Sequence, residues 1–290
     1  MFAKSTAVLL LSLSTLALTT FVPAVQLQRS VTIDSLGACQ GVAYLNKRVY
    51  LYGDREVGMI REYRPQGDSL AYTRREVKLT IDGQDVINHP TGLAYHPGQP
   101  TFIGNSIRLN PEGTLWKAVI YAVDWEGLLK MGTLDGNLRQ TIDDDACIQG
   151  TRPEYVQYRG KPYVATADYG NRANEVRLYD PEALRQAKRT SEKGVLFKKF
   201  SCGAWVQNLH WIPEKNILVL IQNQIEGRRW RFTYLDFPKS VETGQAVVLQ
   251  IVDLAPTDEL EGFALVGTSE RGIAVSSARR NNVHFTKHSW

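Results

Sequence analysis

Residues 205–230, WVQNLHWIPEKNILVLIQNQIEGRRW, decide the fold. Apolar residues dominate on both sides of IPEKN, whose Pro, Lys and Asn read as a turn, so the stretch is two β-type runs folded into a hairpin. Two amide pairs, Gln207-Asn208 and Asn223-Gln224, stand at the outer ends of those runs. A hairpin brings its ends together, so the amides share one end of a sheet and face a common pocket.

The same unit is written four more times: QGVAYLNKRVYLYGD (40–54), TGLAYHPGQPTFIGNS (91–106), EYVQYRGKPYVATADYG (154–170) and EGFALVGTSERGIAVSS (261–277). A third β-type run follows each copy, beginning near residues 58, 118, 174, 229 and 281. Four copies add a fourth run, EVKLTI at 76, LRQTI at 138, VLFKKF at 195 and VLQIVD at 248, but the fifth has none. A candidate for the missing strand, VTID at 31–34, precedes the first copy. Repeats of roughly 50 to 60 residues with four strands each suit propeller blades, and an N-terminal strand completing the last sheet closes the ring. The expected fold is all-β, a five-bladed β-propeller of four-stranded blades. A six-bladed version would need another copy near 108–117 (RLNPEGTLWK), which reads as a loop insertion, and an open β-sandwich is the other alternative. Short helical connectors are expected at 125–132 and 181–192.

With 290 residues, 43% hydrophobic and 22% charged, the chain can bury a sizeable core. Residues 1–24, with Lys4 and then an apolar stretch from Ala7 to Val22, have the layout of a signal peptide cleaved after Ala24. Residues 25–290 are expected to form one exported domain, secreted or periplasmic and monomeric, with no membrane span. A formal charge of +4 is too small for bulk nucleic-acid binding. For Cys39, Cys147 and Cys202, one bridge and one free thiol are expected. His284 and His288, near the C-terminus, read as surface residues, and Asp143-Asp144-Asp145 as a solvated loop.

Propeller geometry puts the loops entering first strands on the same face as those leaving second strands. The polar residues of that face should ring one channel mouth, with arginines forming a basic rim that favours anionic groups. Glu154, Glu261, Asn105, Asn208 and Asn223 form an oxygen-rich set suited to a hard divalent cation, Ca²⁺ or Mg²⁺ foremost and Zn²⁺ as an alternative. Asp168 and His89 are the candidate acid-base residues. Arg152, Arg172, Gln207, His210, Gln224 and Arg228 are the candidate ligand-binding residues. Metal-free acid-base work by a carboxylate pair and a merely water-filled channel are the competing readings. No nucleophile elbow, phosphate loop or zinc motif is present.

The stretches GVAYLNKRVYLYGDREVGMIREY and YRGKPYVATADYGNRANEVRLYD resemble blades of the NHL, strictosidine-synthase-like and SMP-30/gluconolactonase group of propellers. That resemblance implies a single metal held by a Glu, an Asn and an Asp, matching Glu261 or Glu154, Asn208 or Asn223, and Asp168, and hydrolysis of lactones or related esters. The sequence departs from the group in blade number and in EGF at 261, where a Pro is expected after the EG pair. The functional expectation is a pocket for a small anionic or polyhydroxylated ligand around a metal, serving a lactone or ester hydrolase. The alternatives are a non-catalytic propeller binding a glycan or protein, and a metal-free glycoside hydrolase.

Overall fold

Each repeat forms an antiparallel four-stranded sheet, and the five sheets stand around one axis. The structure is a computed structural model that describes residues 24–34, 36–172, 174–223, 226–256 and 258–290. The expected signal peptide lies outside the described residues except for Ala24.

The described chain starts with β1 (Ala24–Val31). Blade one is β2 (Cys39–Leu45), β3 (Arg48–Gly53), β4 (Met59–Pro65) and β5 (Leu70–Lys78), followed by a small ribbon of β6 (Thr80–Ile81) and β7 (Gln84–Asp85). Blade two is β8 (Pro90–Ala94), β9 (Thr101–Arg108), β10 (Trp116–Val123), helix α1 (Trp125–Met131) and β11 (Leu138–Asp143). Blade three is β12 (Glu154–Tyr158), β13 (Lys161–Ala167), β14 (Glu175–Tyr179), α2 (Pro181–Gln186) and β15 (Leu196–Ser201). Blade four is β16 (Val206–Ile212), β17 (Ile217–Gln222), β18 (Trp230–Asp236), α3 (Phe237–Thr243) and β19 (Val248–Leu254). Blade five is β20 (Leu260–Leu265), β21 (Arg271–Ser276) and β22 (Val283–Ser289), with β1 as its outer strand.

The decisive hairpin forms as read, with β16 and β17 antiparallel and Asn216 taking the positive φ (53°) that its turn requires. All of β17 is buried, because neighbouring blades cover both faces of the sheet. This explains why ILVLIQ is a continuous apolar run rather than an alternating one. The core is accordingly divided into five apolar clusters, one at each blade-to-blade contact.

Closure occurs as expected, but its strand lies upstream of VTID. β1 pairs with β22 from Ala24 opposite Ser289 to Val31 opposite Val283. Residues 108–116 extend the β9–β10 hairpin and form no sixth blade, since Arg108 pairs with Trp116 across the tip. A third helix, α3, joins the two expected ones.

Three smaller expectations are overturned. His284 and His288 are 7% and 2% exposed, because β22 is an interior strand between β21 and β1. His284 packs edge-on against Trp230, and His288 lies against Phe263. Asp144 is buried, accepting hydrogen bonds from the Tyr179 hydroxyl (3.1 Å) and Thr190 Oγ1 (2.8 Å), so that segment ties blade two to blade three. All three cysteines are free. Cys39 packs between blades one and five and Cys202 against the cluster between blades three and four, while Cys147 sits near Thr166.

Candidate functional site: an axial pocket around Arg152

Four of the five inner strands carry a one-residue bulge where they start. The pairing to the second strand slips between Cys39 and Gly41, Pro90 and Gly92, Val206 and Asn208, and Leu260 and Gly262. A bulge leaves one residue unpaired and re-aims its side chain. Gln40, Gln207 and Glu261 occupy such positions and line one cavity of about 280 Å³. Blade three has no bulge there and contributes Arg152 from just ahead of β12.

Past these residues the inner strands come close together. A Cβ on Gly262 would lie 2.9 Å from Gly41 Cα, and one on Gly41 would overlap the Tyr52 ring at 2.2 Å. The missing side chain at Gly41 admits Tyr52, whose hydroxyl accepts from Asn208 Nδ2 (3.2 Å).

Arg152 is 3% exposed. Its Nε donates to the Gln207 carbonyl (3.1 Å), its Nη2 donates to Gln207 Oε1 (3.0 Å), and its guanidinium lies 5.1 Å from the Tyr169 ring centroid. Among the described residues, Nη1 has no hydrogen-bond partner. Burial pulls its pKa down, opposed through space by Asp168 and Glu261. An arginine stays charged even so.

The Gln207 amide links that charge to two carboxylates. Its Nε2 donates to Glu259 Oε1 and Glu261 Oε2, both at 3.0 Å. Burial raises the Glu261 pKa well above the ordinary carboxylate value; nearby Glu259 adds to this and Arg152 opposes it.

On the blade-one side, His89 Nδ1 lies 2.8 Å from Asp54 Oδ2, which also accepts from Gln40 Nε2 (3.2 Å). With Asp54 as acceptor, Nδ1 carries the proton, which leaves Nε2 of this pocket-lining histidine as the basic nitrogen. Asp168 Oδ1 accepts from the backbone N–H groups of Gln149 (2.8 Å) and Gly150 (3.2 Å), pinning the loop that presents Arg152. Burial raises the Asp168 pKa, and those backbone donors lower it.

Glu154 opens inner strand β12 and is half-buried. Burial raises its pKa to about 8, with only the Tyr155 backbone N–H opposing.

The residues expected to hold a metal do not offer their oxygens together. Asn105 Oδ1 accepts from the His89 backbone N–H (2.9 Å), Asn208 Oδ1 from the Leu209 N–H (2.8 Å), and Asn223 Oδ1 from the Tyr169 hydroxyl (3.3 Å). Among the described residues, no three His, Cys, Asp or Glu side chains are grouped as a metal site would need.

Of the expected ligand-binding residues, Arg152 and Gln207 meet in the pocket. Arg172 lines an adjoining cavity, and Arg228 is exposed. His210 faces a cavity on the opposite side, accepting from the Leu265 N–H (3.2 Å), with its pKa depressed to about 3 by burial. Gln224 lies outside the described residues. Sequence reasoning missed Tyr52, Trp116 and Tyr169, of which Trp116 and Tyr169 line the pocket. Tyr169 directly follows Asp168 in a second-strand exit loop, and that position was the available signal.

Fold and site together define a five-bladed β-propeller with a polar pocket where its inner strands begin. No protein-family model and no curated protein matches the chain. Among solved structures it is similar to a Myxococcus xanthus glutaminyl cyclase, with TM-score 0.56 and 11% identity, covering 93% of this chain and 98% of that one. A Kuenenia stuttgartiensis hydrazine synthase gives TM-score 0.45 and 11% identity over 84% of this chain and 57% of that one. The likeness to the cyclase is one of fold alone.

Proposed function

We propose that this propeller is an acid-base enzyme for a small substrate presenting a carboxylate or carbonyl oxygen to the Arg152 end of the axial pocket. The observation that carries this reading is Arg152 itself, 3% exposed, lining the cavity and leaving Nη1 without a partner. A buried charge of this kind is strongly unfavourable unless compensated, and an anionic or polarised oxygen supplies the compensation.

Around that oxygen, Glu261, whose buried carboxyl holds its proton more tightly than an ordinary carboxylate, is the proton donor and His89 Nε2, oriented by Asp54, is the base. The pair supports an addition-elimination at a carbonyl carbon: His89 takes the proton of the attacking group and Glu261 gives one to the leaving group. The fold relative named a glutaminyl cyclase suggests the first reaction to offer. There the α-amine of a terminal glutamine attacks the side-chain carbonyl carbon, the carbon–nitrogen amide bond breaks, and ammonia leaves. Metal-assisted lactone hydrolysis is less well supported, because the three asparagine oxygens already have protein donors.

The test is ammonia release from glutaminyl dipeptides, run beside calorimetric titration with acetate and acetamide. Arg152→Met should abolish both turnover and binding, while Glu261→Gln should keep binding and lose at least about a hundredfold in turnover. A wild-type protein that binds neither probe and releases no ammonia would overturn the proposal. Binding without turnover of any carbonyl substrate would leave a recognition module in its place.

A further inference from the structure

A second cavity, of about 250 Å³, opens beside the axial pocket and shares Trp116 and Gln149 with it. Its lining is mixed: the Trp116 indole, the Ile148 side chain and the turn at Gly113-Thr114 form one part, and Asp168, Asn171 and Arg172 the other. Ile148 is 49% exposed, and the hairpin tip beside it carries Leu109 and Leu115 at 52% and 56% exposure. Of these three, Ile148 lines the cavity, and large apolar side chains left open to water are unusual on a face otherwise rich in amides and arginines. The insertion read in the sequence as a loop at 108–117 supplies Gly113, Thr114 and Trp116 to this wall, and Arg108 lies 5.1 Å from the indole.

Resting on the reading of the axial pocket given above, we infer that this cavity is a subsite for an apolar, uncharged substituent carried by the same substrate. The substrate is therefore bipartite, with an oxygen-bearing head beside Arg152 and an aliphatic or aromatic tail between Trp116 and Ile148. Continuity of the two cavities through the shared indole sets this arrangement, because a tail leaving the head passes directly over Trp116. Charge restricts it further. Arg172 lines the cavity and Arg108 borders it, outnumbering the one carboxylate there, Asp168, whose Oδ1 already accepts from the Gln149 and Gly150 N–H groups, so a basic tail is disfavoured relative to a neutral one.

The experiment is calorimetric titration of the full-length protein with four carboxylates, namely acetate, hexanoate, 3-phenylpropionate and 6-aminohexanoate. Each buried methylene strengthens binding by about fourfold, so hexanoate and 3-phenylpropionate should bind at least about tenfold more tightly than acetate. The ammonium of 6-aminohexanoate should erase that gain. Ile148→Asp should remove the preference for hexanoate and leave acetate binding unchanged, whereas Ile148→Phe should preserve it. Acetate binding that depends on Arg152 with no gain from either tail would overturn the subsite while sparing the axial reading. Equal gains for hexanoate and 6-aminohexanoate would overturn it as well, and absence of binding by every carboxylate would defeat both.

Discussion

At the scale of single residues, Glu154 makes the pH dependence of stability a direct report on the channel. Its folded pKa is raised from 4.5 to about 8. Between those values the folded state holds a proton that the unfolded chain has released, so stability falls as pH rises through the window. His210 and His288 act at the acid end: burial lowers them from 6.5 to about 3 and about 4, so their contribution is lost as pH falls below 6.5. Glu261, also raised by burial, contributes in the same direction, so the Glu154 share between pH 6.5 and 8 is the difference between the wild type and Glu154→Gln. Glu154→Gln should raise stability at pH 8 by about 2 kcal/mol relative to pH 6.5, at about 1.4 kcal/mol for each pH interval of one. Urea unfolding of both proteins at the two pH values checks this, and parallel curves would show that the carboxyl ionises freely in the channel. The sequence placed Glu154, Gln207 and Glu261 correctly at inner-strand starts, because a polar residue beginning an apolar run is visible in one dimension. Tyr52 was invisible for a physical reason. Its own strand gives no sign that the ring reaches the axis, and it does so only because Gly41 has no Cβ to exclude it.

At the scale of elements, the connectors between third and fourth strands repeat a small device. Asp124, Asp180 and Asp236 each follow a third strand or end it, and each caps the helix that begins at the next residue. The Asp180 carboxylate accepts from the backbone N–H groups of Glu182 (3.1 Å) and Ala183 (2.9 Å), with Pro181 at the first helical position, where it gives up no needed donor. Helices this short are not stable by propensity, so the cap and the packing of Leu184 against blade two hold α2 in place. Asp180→Ala should cost about 1 kcal/mol, while Asp180→Ser should cost much less. Thermal melting distinguishes them, and equal melting temperatures for Ala and Ser would mean that the cap is idle. The third helix shows the limit of reading by pattern, because FPKSVET continues directly from the apolar strand RFTYLD and offers only the Asp-Phe-Pro signal as a boundary.

At the scale of the whole molecule, the fifth blade is built from both parts of the described chain, three strands from one side and β1 from the other. The sequence showed that a strand was missing from the last repeat and that one was available upstream, which was enough to predict a closed ring. It did not show which residues would pair. β1 buries only Val25 fully, its pattern being otherwise exposed or half-buried, so little hydrophobic alternation marks it, and VTID looked the better strand. Closure rests instead on the ladder from Ala24–Ser289 to Val31–Val283 and on Val25 reaching the cluster between blades four and five. If that ladder is what matters, rather than which blade is split, the split can be moved. Blade one offers the equivalent place, the turn between β4 and β5, where Gln66 and Ser69 exchange backbone hydrogen bonds and Gly67 and Asp68 are exposed. A circular permutant beginning at Asp68 and ending at Gly67, with Ser289 and Ala24 joined by a short turn, would divide blade one as blade five is divided now. Because those two residues are already paired, the joining turn closes without strain. The permutant should fold with the same far-ultraviolet dichroism and unfold in one cooperative transition, losing the Gln66–Ser69 turn hydrogen bonds and the exposed Arg271–Asp68 ion pair, the latter worth less than about 1 kcal/mol. Amide exchange should then show β22 at least as protected as β17, since β1 can no longer fray away from it. A permutant that collapses, or whose β22 exchanges faster than in the parent, would show that closure depends on the particular seam in blade five and not on the ring.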